Sequence, residues 1–93
     1  MALLTEDQIA TGLARLEGWK RDGASIRRQF TFPTFASGIA FVNRVAAAAD
    51  RADHHPDIDI RYTRVALTLS THSAGGITDR DLALAEEING LAS

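Results

Sequence analysis

The chain has 93 residues, 45% of them hydrophobic and 24% charged, which suits one globular domain over residues 1–93 with neither linker nor internal repeat. It contains no cysteine, so a disulfide framework, a thiolate metal site and a cysteine nucleophile are excluded. A formal net charge of −2 and a pI near 5.8 leave no basic footprint for nucleic acid or an anionic membrane surface, and the pair Arg27-Arg28 is expected to lie on a solvated strand face.

No apolar run approaches the roughly 20 residues that span a bilayer, and the start Met1-Ala2-Leu3-Leu4-Thr5 has no basic region before a hydrophobic stretch. The expected location is the cytoplasm, with no membrane or nucleic acid among its partners. A chain this short buries roughly 60–65% of its unfolded surface, so a homodimer or homotetramer is the expected assembly.

Thr5 opens the first element, because its hydroxyl can accept a backbone N–H three residues on while Gln8 reaches back. Ile9, Leu13 and Leu16 then form one apolar stripe, and Gly18 supplies a left-handed stop, which predicts an amphipathic helix over 5–16. Two extended runs follow, Trp19 to Arg21 and Ile26 to Phe32, joined through Asp22-Gly23, a strong hairpin signal. In the second run Ile26, Phe30 and Phe32 share one face and Arg27, Gln29 and Thr31 the other. One side of the sheet is therefore expected to be covered and the other wet.

Pro33-Thr34 opens the longest periodic stretch, Phe35 to about Asp53, with Phe35, Ile39, Val42, Val45, Ala46 and Ala49 at helical spacing. Phe41 and the alanine run widen the stripe beyond one face, so this helix is expected to pack on two neighbours, one of them a second subunit. Ile58, Ile60 and Tyr62 alternate with polar residues, as do Val65, Leu67 and Leu69, which predicts a second hairpin of two half-buried strands. Thr78-Asp79-Arg80-Asp81 caps a last helix striped by Leu84, Ile88 and Leu91. The order α-β-β-α-β-β-α leaves one economical packing, an α+β fold with three helices on one face of a four-stranded antiparallel sheet.

Two of only three histidines sit in Asp53-His54-His55-Pro56, where the long helical pattern stops, and the third is His72. Imidazole changes charge between about pH 5 and 8 and is the usual carrier of protons at neutral pH, so the three are read as one site. The helix end offers unpaired carbonyls and the negative end of the dipole, and Asp50 lies at i, i+4 from His54, placed to steer it. A metal site is the rival reading, since three histidines can hold zinc or iron. Adjacent side chains diverge by about 100° on a helix or point to opposite faces of a strand, so His54 and His55 do not readily share one ion. Ser70 as a nucleophile lacks the Gly-x-Ser-x-Gly turn. Strict alternation after Leu69 would turn Ser70 and His72 away from the helices, toward an open face able to receive a flat ligand.

Around the histidines the sequence runs Asp50, three residues, His54-His55-Pro56, five residues, Tyr62, nine residues, His72, eight residues, Asp81. As a joint match of types and gaps this closely resembles the pterin-4a-carbinolamine dehydratases, and the order of helices and strands extends the resemblance over nearly the whole chain. The resemblance implies dehydration of a 4a-hydroxytetrahydropterin to a quinonoid dihydropterin, the step that recycles tetrahydrobiopterin, with a pterin substrate and neither metal nor cofactor. It assigns proton transfer to His54 and His72 and substrate holding to His55. It places Asp53, Ser70, Thr71 and Ser73 along the pterin pocket and Asp50, Arg80 and Asp81 in support. Asp50 stands where the family often has glutamate. Some members also bind a transcription factor and aid its dimerisation, so an interaction module is the second implied function, with the 35–53 helix as its surface.

Overall fold

Each helix starts from a threonine that closes a capping box. The structure is a computed structural model that describes residues 2–92; Met1 and Ser93, the ends of the expected 1–93 domain, lie outside the described residues. Thr5 caps α1 (Glu6–Ala14), Thr34 caps α2 (Phe35–Ala52) and Thr78 caps α3 (Asp79–Leu91), each satisfying N–H groups that a helix start leaves unpaired. The strands β1 (Lys20–Asp22), β2 (Ser25–Thr31), β3 (Asp57–Arg61) and β4 (Arg64–Leu69) form one antiparallel sheet in the order β1-β2-β4-β3. The α+β architecture and its element order are those expected from the pattern.

Ile26, Phe30, Val65, Leu67 and Leu69 line the face that the helices cover, together with Phe41 and Val45 of α2 and Leu84 and Ile88 of α3. Phe41 is fully buried, with its ring centroid 4.8 Å from that of Phe30 and 4.9 Å from that of Phe32. The buried stripe of α2 is Gly38, Phe41, Val45, Ala48 and Ala49, rotated from the expected one, and Phe35 and Ala46 are exposed. Trp19 belongs to the core rather than to β1, because its indole N–H finds Asn89 Oδ1 at 2.8 Å. A buried indole requires such a partner.

Three further expectations are corrected. The helix predicted over 5–16 ends at Ala14. Arg28 lies on the covered face, paired in register with Leu67. It is accommodated there because its guanidinium stands 4.3 Å from the Phe30 ring centroid and donates to Glu17 O and Asn89 Oδ1, each at 2.7 Å. And β3 is not half-buried: Ile58 and Ile60 face the helix side, opposite Leu67 and Val65, yet remain 38% and 40% exposed. As the edge strand, β3 lies beyond the helix layer. Alternation told which way its side chains point without telling whether anything covers them.

Phe41 joins helix to sheet at zero exposure, so Phe41→Ala is expected to cost about 3–5 kcal/mol, a large part of the roughly 5–15 kcal/mol of a typical domain. Urea denaturation followed by circular dichroism measures it.

Candidate active site

The C-terminus of α2 sets the geometry of the two adjacent histidines. Asp53 adopts the left-handed conformation at φ 49°, ψ 46°, which a short polar side chain tolerates better than most. The His54 N–H turns back to Ala49 O at 3.1 Å and the Asp53 N–H to Asp50 O at 3.2 Å, so the helix closes with the six-to-one bond of a Schellman-type end. Arg80, from the first turn of α3, donates to Ala52 O at 3.0 Å and to Asp53 O. A cation thus meets the last carbonyls of α2, where the helix dipole favours it.

This turn sends the two imidazoles to different surroundings. His54 is buried, and its Nε2 lies 2.6 Å from Oδ1 of Asp81, a residue with no exposure at all. His55 is exposed and pairs through Nε2 with Asp50 Oδ1 at 2.9 Å. The steering of His54 by Asp50, expected from i, i+4 spacing, is therefore corrected: the left-handed residue breaks the helical phase before His54, and the carboxylate that holds His54 comes from another helix.

Asp81 is the hub of the region. Its Oδ2 accepts the Thr78 N–H and the Thr71 hydroxyl, each at 2.9 Å, and Thr71 Oγ1 lies 2.8 Å from Thr78 Oγ1. An ionised carboxylate only accepts hydrogen bonds, so Nε2 of His54 carries a proton toward Oδ1. The other nitrogen, Nδ1, has no partner among the described residues; because every buried side-chain nitrogen and oxygen there has one, Nδ1 reaches the surface. A recess of about 170 Å³, lined by Ala52, His54, Arg80, Ala83, Leu84 and Glu87, opens beside this ring.

β4 ends at Leu69, and the regular alternation ends with it. The chain makes an isolated bridge between Thr71 and Gly76 and carries His72 into a short 3-10 turn, His72–Ala74, closed by left-handed Gly75. His72 and Ser73 are exposed, Ser70 is half-buried and Asp53 is exposed. Thr71, expected to line a ligand pocket, is buried, and its hydroxyl is committed to Asp81 and Thr78. The bonds from His54 to Asp81 and from Asp81 to Thr71 bring the segments carrying His54 and His72 together across 18 residues of sequence. Asp81 read in sequence as a helix cap. Its second task had no local signal, because its partner lies 27 residues earlier.

The family model described as pterin 4 alpha carbinolamine dehydratase matches residues 2–91. A protein of Mycobacteroides abscessus, provisionally named pterin-4-alpha-carbinolamine dehydratase, is 61% identical over 89 residues, covering 96% of this chain and 95% of its own. One of Thermomicrobium roseum with the same provisional name is 53% identical over 93 residues, covering both chains fully. Among solved structures, a transcriptional coactivator/pterin dehydratase from Brucella melitensis superposes with a TM-score of 0.94 at 35% identity, covering 98% of this chain and 99% of the other. A pterin dehydratase-like protein that is a RuBisCO assembly factor in the alpha-carboxysome superposes with a TM-score of 0.73 at 25% identity, covering 83% and 92%.

Replacing Asp81 with alanine would leave three donors without their acceptor at a fully buried position. At about 1–3 kcal/mol for each unsatisfied buried group, Asp81→Ala is expected to lower the unfolding free energy by at least about 3 kcal/mol. Chemical denaturation measures the loss, and Asp81→Asn, which keeps the shape and one acceptor oxygen, should recover part of it.

Proposed function

Because the chain belongs to the pterin-4-alpha-carbinolamine dehydratase family, we propose that it removes water from a 4a-hydroxytetrahydropterin by histidine acid–base catalysis. The observation that carries this reading is the bond from the His54 ring to buried Asp81, which leaves a single ring nitrogen free at the surface. In the reaction the C4a–O bond breaks and the hydroxyl leaves as water with an added proton. N5 gives up its proton, and its electron pair forms the N5=C4a double bond of the quinonoid dihydropterin. Two groups able to give and take a proton are what this elimination requires.

In this reading His54 exchanges its proton with the pterin through Nδ1, while Asp81 acts as the positioning residue that holds the ring by Nε2. His72 is the second proton-transfer group, carried on a loop whose base is tied to the same carboxylate through Thr71. His55, exposed beside Asp50, holds substrate. Asp53, Ser70 and Ser73 line the approach, and Arg80 keeps the α2 end in place. The surface ion pair of His55 and Asp50 is of a kind worth at most about 1 kcal/mol, so Asp50 orients His55 only weakly. No metal or cofactor enters any step, and tetrahydrobiopterin recycling in the cytoplasm is the setting this reading assigns.

A second reading, an interaction module, draws on the coactivator and assembly-factor names of the two structural relatives and on one observation here. Phe35 at the start of α2 is 49% exposed, and Ile58 and Ile60 of the edge strand are exposed on the helix side. An uncovered edge with apolar flanks invites pairing, and we assign it first to a second copy of this chain. Activity measured directly separates the two readings, since a pure interaction module would not accelerate decay of the carbinolamine.

His54→Ala and His72→Ala are each expected to lower kcat by roughly 10²-fold or more, whereas His55→Ala should mainly raise KM, the signature of a contact made equally in ground and transition states. Stopped-flow absorbance of enzymatically generated carbinolamine provides the test, and unchanged kcat in both of the first two variants would sink the assignment. For assembly, sedimentation at micromolar concentration is expected to give a dimer or tetramer. Ile58→Lys with Ile60→Lys should shift it toward the 10.0 kDa chain; a wild-type monomer throughout would refute the self-association.

A further inference from the structure

The face of the sheet that the helices leave open carries a groove of about 290 Å³, lined by Arg27, Gln29, Asp59, Arg61, Arg64 and Ala66. Strand register explains its shape. Gln29, Ala66 and Asp59 stand side by side across β2, β4 and β3, and Thr31, Arg64 and Arg61 form the row on one side, while Arg27 pairs with Thr68 in the row on the other. Alanine on the central strand makes the floor low, and longer side chains on the flanking strands make the walls. At about 3.3 Å of rise per residue the two arginine rows lie roughly 13 Å apart along β2, close enough for two long guanidinium arms to converge over the floor.

The charge there is only partly compensated, because Asp59 is the one carboxylate in the lining. Arg21, Arg28, Arg44, Arg51, Arg61 and Arg80 each donate to an oxygen of the protein, whereas Arg27 and Arg64 have no hydrogen-bond or ion-pair partner among the described residues. Arg61 spends only its Nε, on Asp59 at 3.3 Å, so its terminal nitrogens remain free. Three guanidinium groups against one carboxylate leave two positive charges in excess within one concavity of a chain whose net charge is −2. Guanidinium forks match phosphate oxygens in pairs, and Gln29 adds a neutral donor.

We propose that this groove is a binding site for a small phosphorylated molecule carrying at least two negative charges, a diphosphate being the best fit to arginines converging from both ends. No histidine lines the groove, so the inference stands independently of the dehydratase reading.

Inorganic pyrophosphate is the probe, titrated into the ¹⁵N-labelled full chain at 0.15 M sodium chloride. Saturable shifts of the backbone amides of Arg27, Gln29 and Ala66 are expected, with a Kd tighter than about 1 mM, a modest affinity for a small site. The double variant Arg27→Gln, Arg64→Gln should weaken binding at least tenfold while keeping the rest of its spectrum, both side chains being exposed. Sulfate at equal ionic strength should compete poorly. Shifts that do not saturate, that centre on other residues, or that persist unchanged in the double variant would overturn the proposal. So would a single-stranded RNA decamer that binds the same residues more tightly than pyrophosphate, which would make the face a nucleic-acid surface instead.

Discussion

A carboxylate with no exposure to solvent, Asp81, holds the functional end of the molecule together. Burying an ion costs several kcal/mol unless the interior replaces its hydration, and here a backbone N–H, a threonine hydroxyl and an imidazole N–H do so. Each donor comes from a different place: the start of α3, the end of β4 and the end of α2. The chain cannot satisfy Asp81 without bringing these three ends to one point. The buried polar network therefore contributes to registration as well as to stability, because packing alone would tolerate small slides of α3 along α2 that this hydrogen-bonded geometry does not.

The helix end that presents the histidines is held from two sides. Left-handed Asp53 folds the His54 N–H back onto Ala49, and Arg80 reaches from α3 to the carbonyls of Ala52 and Asp53. Arg80 and Asp81 are consecutive, so one turn of α3 clasps both the backbone and the side chain of the α2 terminus. The adjacent imidazoles diverge as a result. One is fixed against a buried acid, and its neighbour is loosely tied to an exposed one, an arrangement better suited to different tasks than to shared coordination of one ion.

The two faces of the sheet differ in the same concrete way. On the covered face even Arg28 is drawn in, its charge satisfied by Glu17 O and Asn89 and its guanidinium set over the Phe30 ring. On the open face Arg27, one residue earlier, has no partner among the described residues. The period-two geometry of a strand separates neighbouring residues of the same type into a packing element and an available charge.

Local patterns were sufficient for the elements and their order. The caps at Thr5 and Thr78, the Asp22-Gly23 hairpin and the alternation of Val65, Leu67 and Leu69 each depend on neighbours within a few residues, where backbone sterics and hydrogen bonding act. The spacing of His54, His55, His72 and Asp81 was likewise sufficient to suggest the family. Periodicity gave the face of α2 only approximately, because Phe35 and Phe41 are equally apolar and only contact with Phe30 and Phe32 selects the second. It also gave the direction of Ile58 and Ile60 without their exposure, since cover is a property of what lies above a strand. The carboxylate that holds His54 was decided by tertiary structure alone. Asp50 and Asp81 are chemically the same group, and the choice between them follows from a single left-handed residue that ends the helix and from the docking of α3, neither of which sequence spacing encodes.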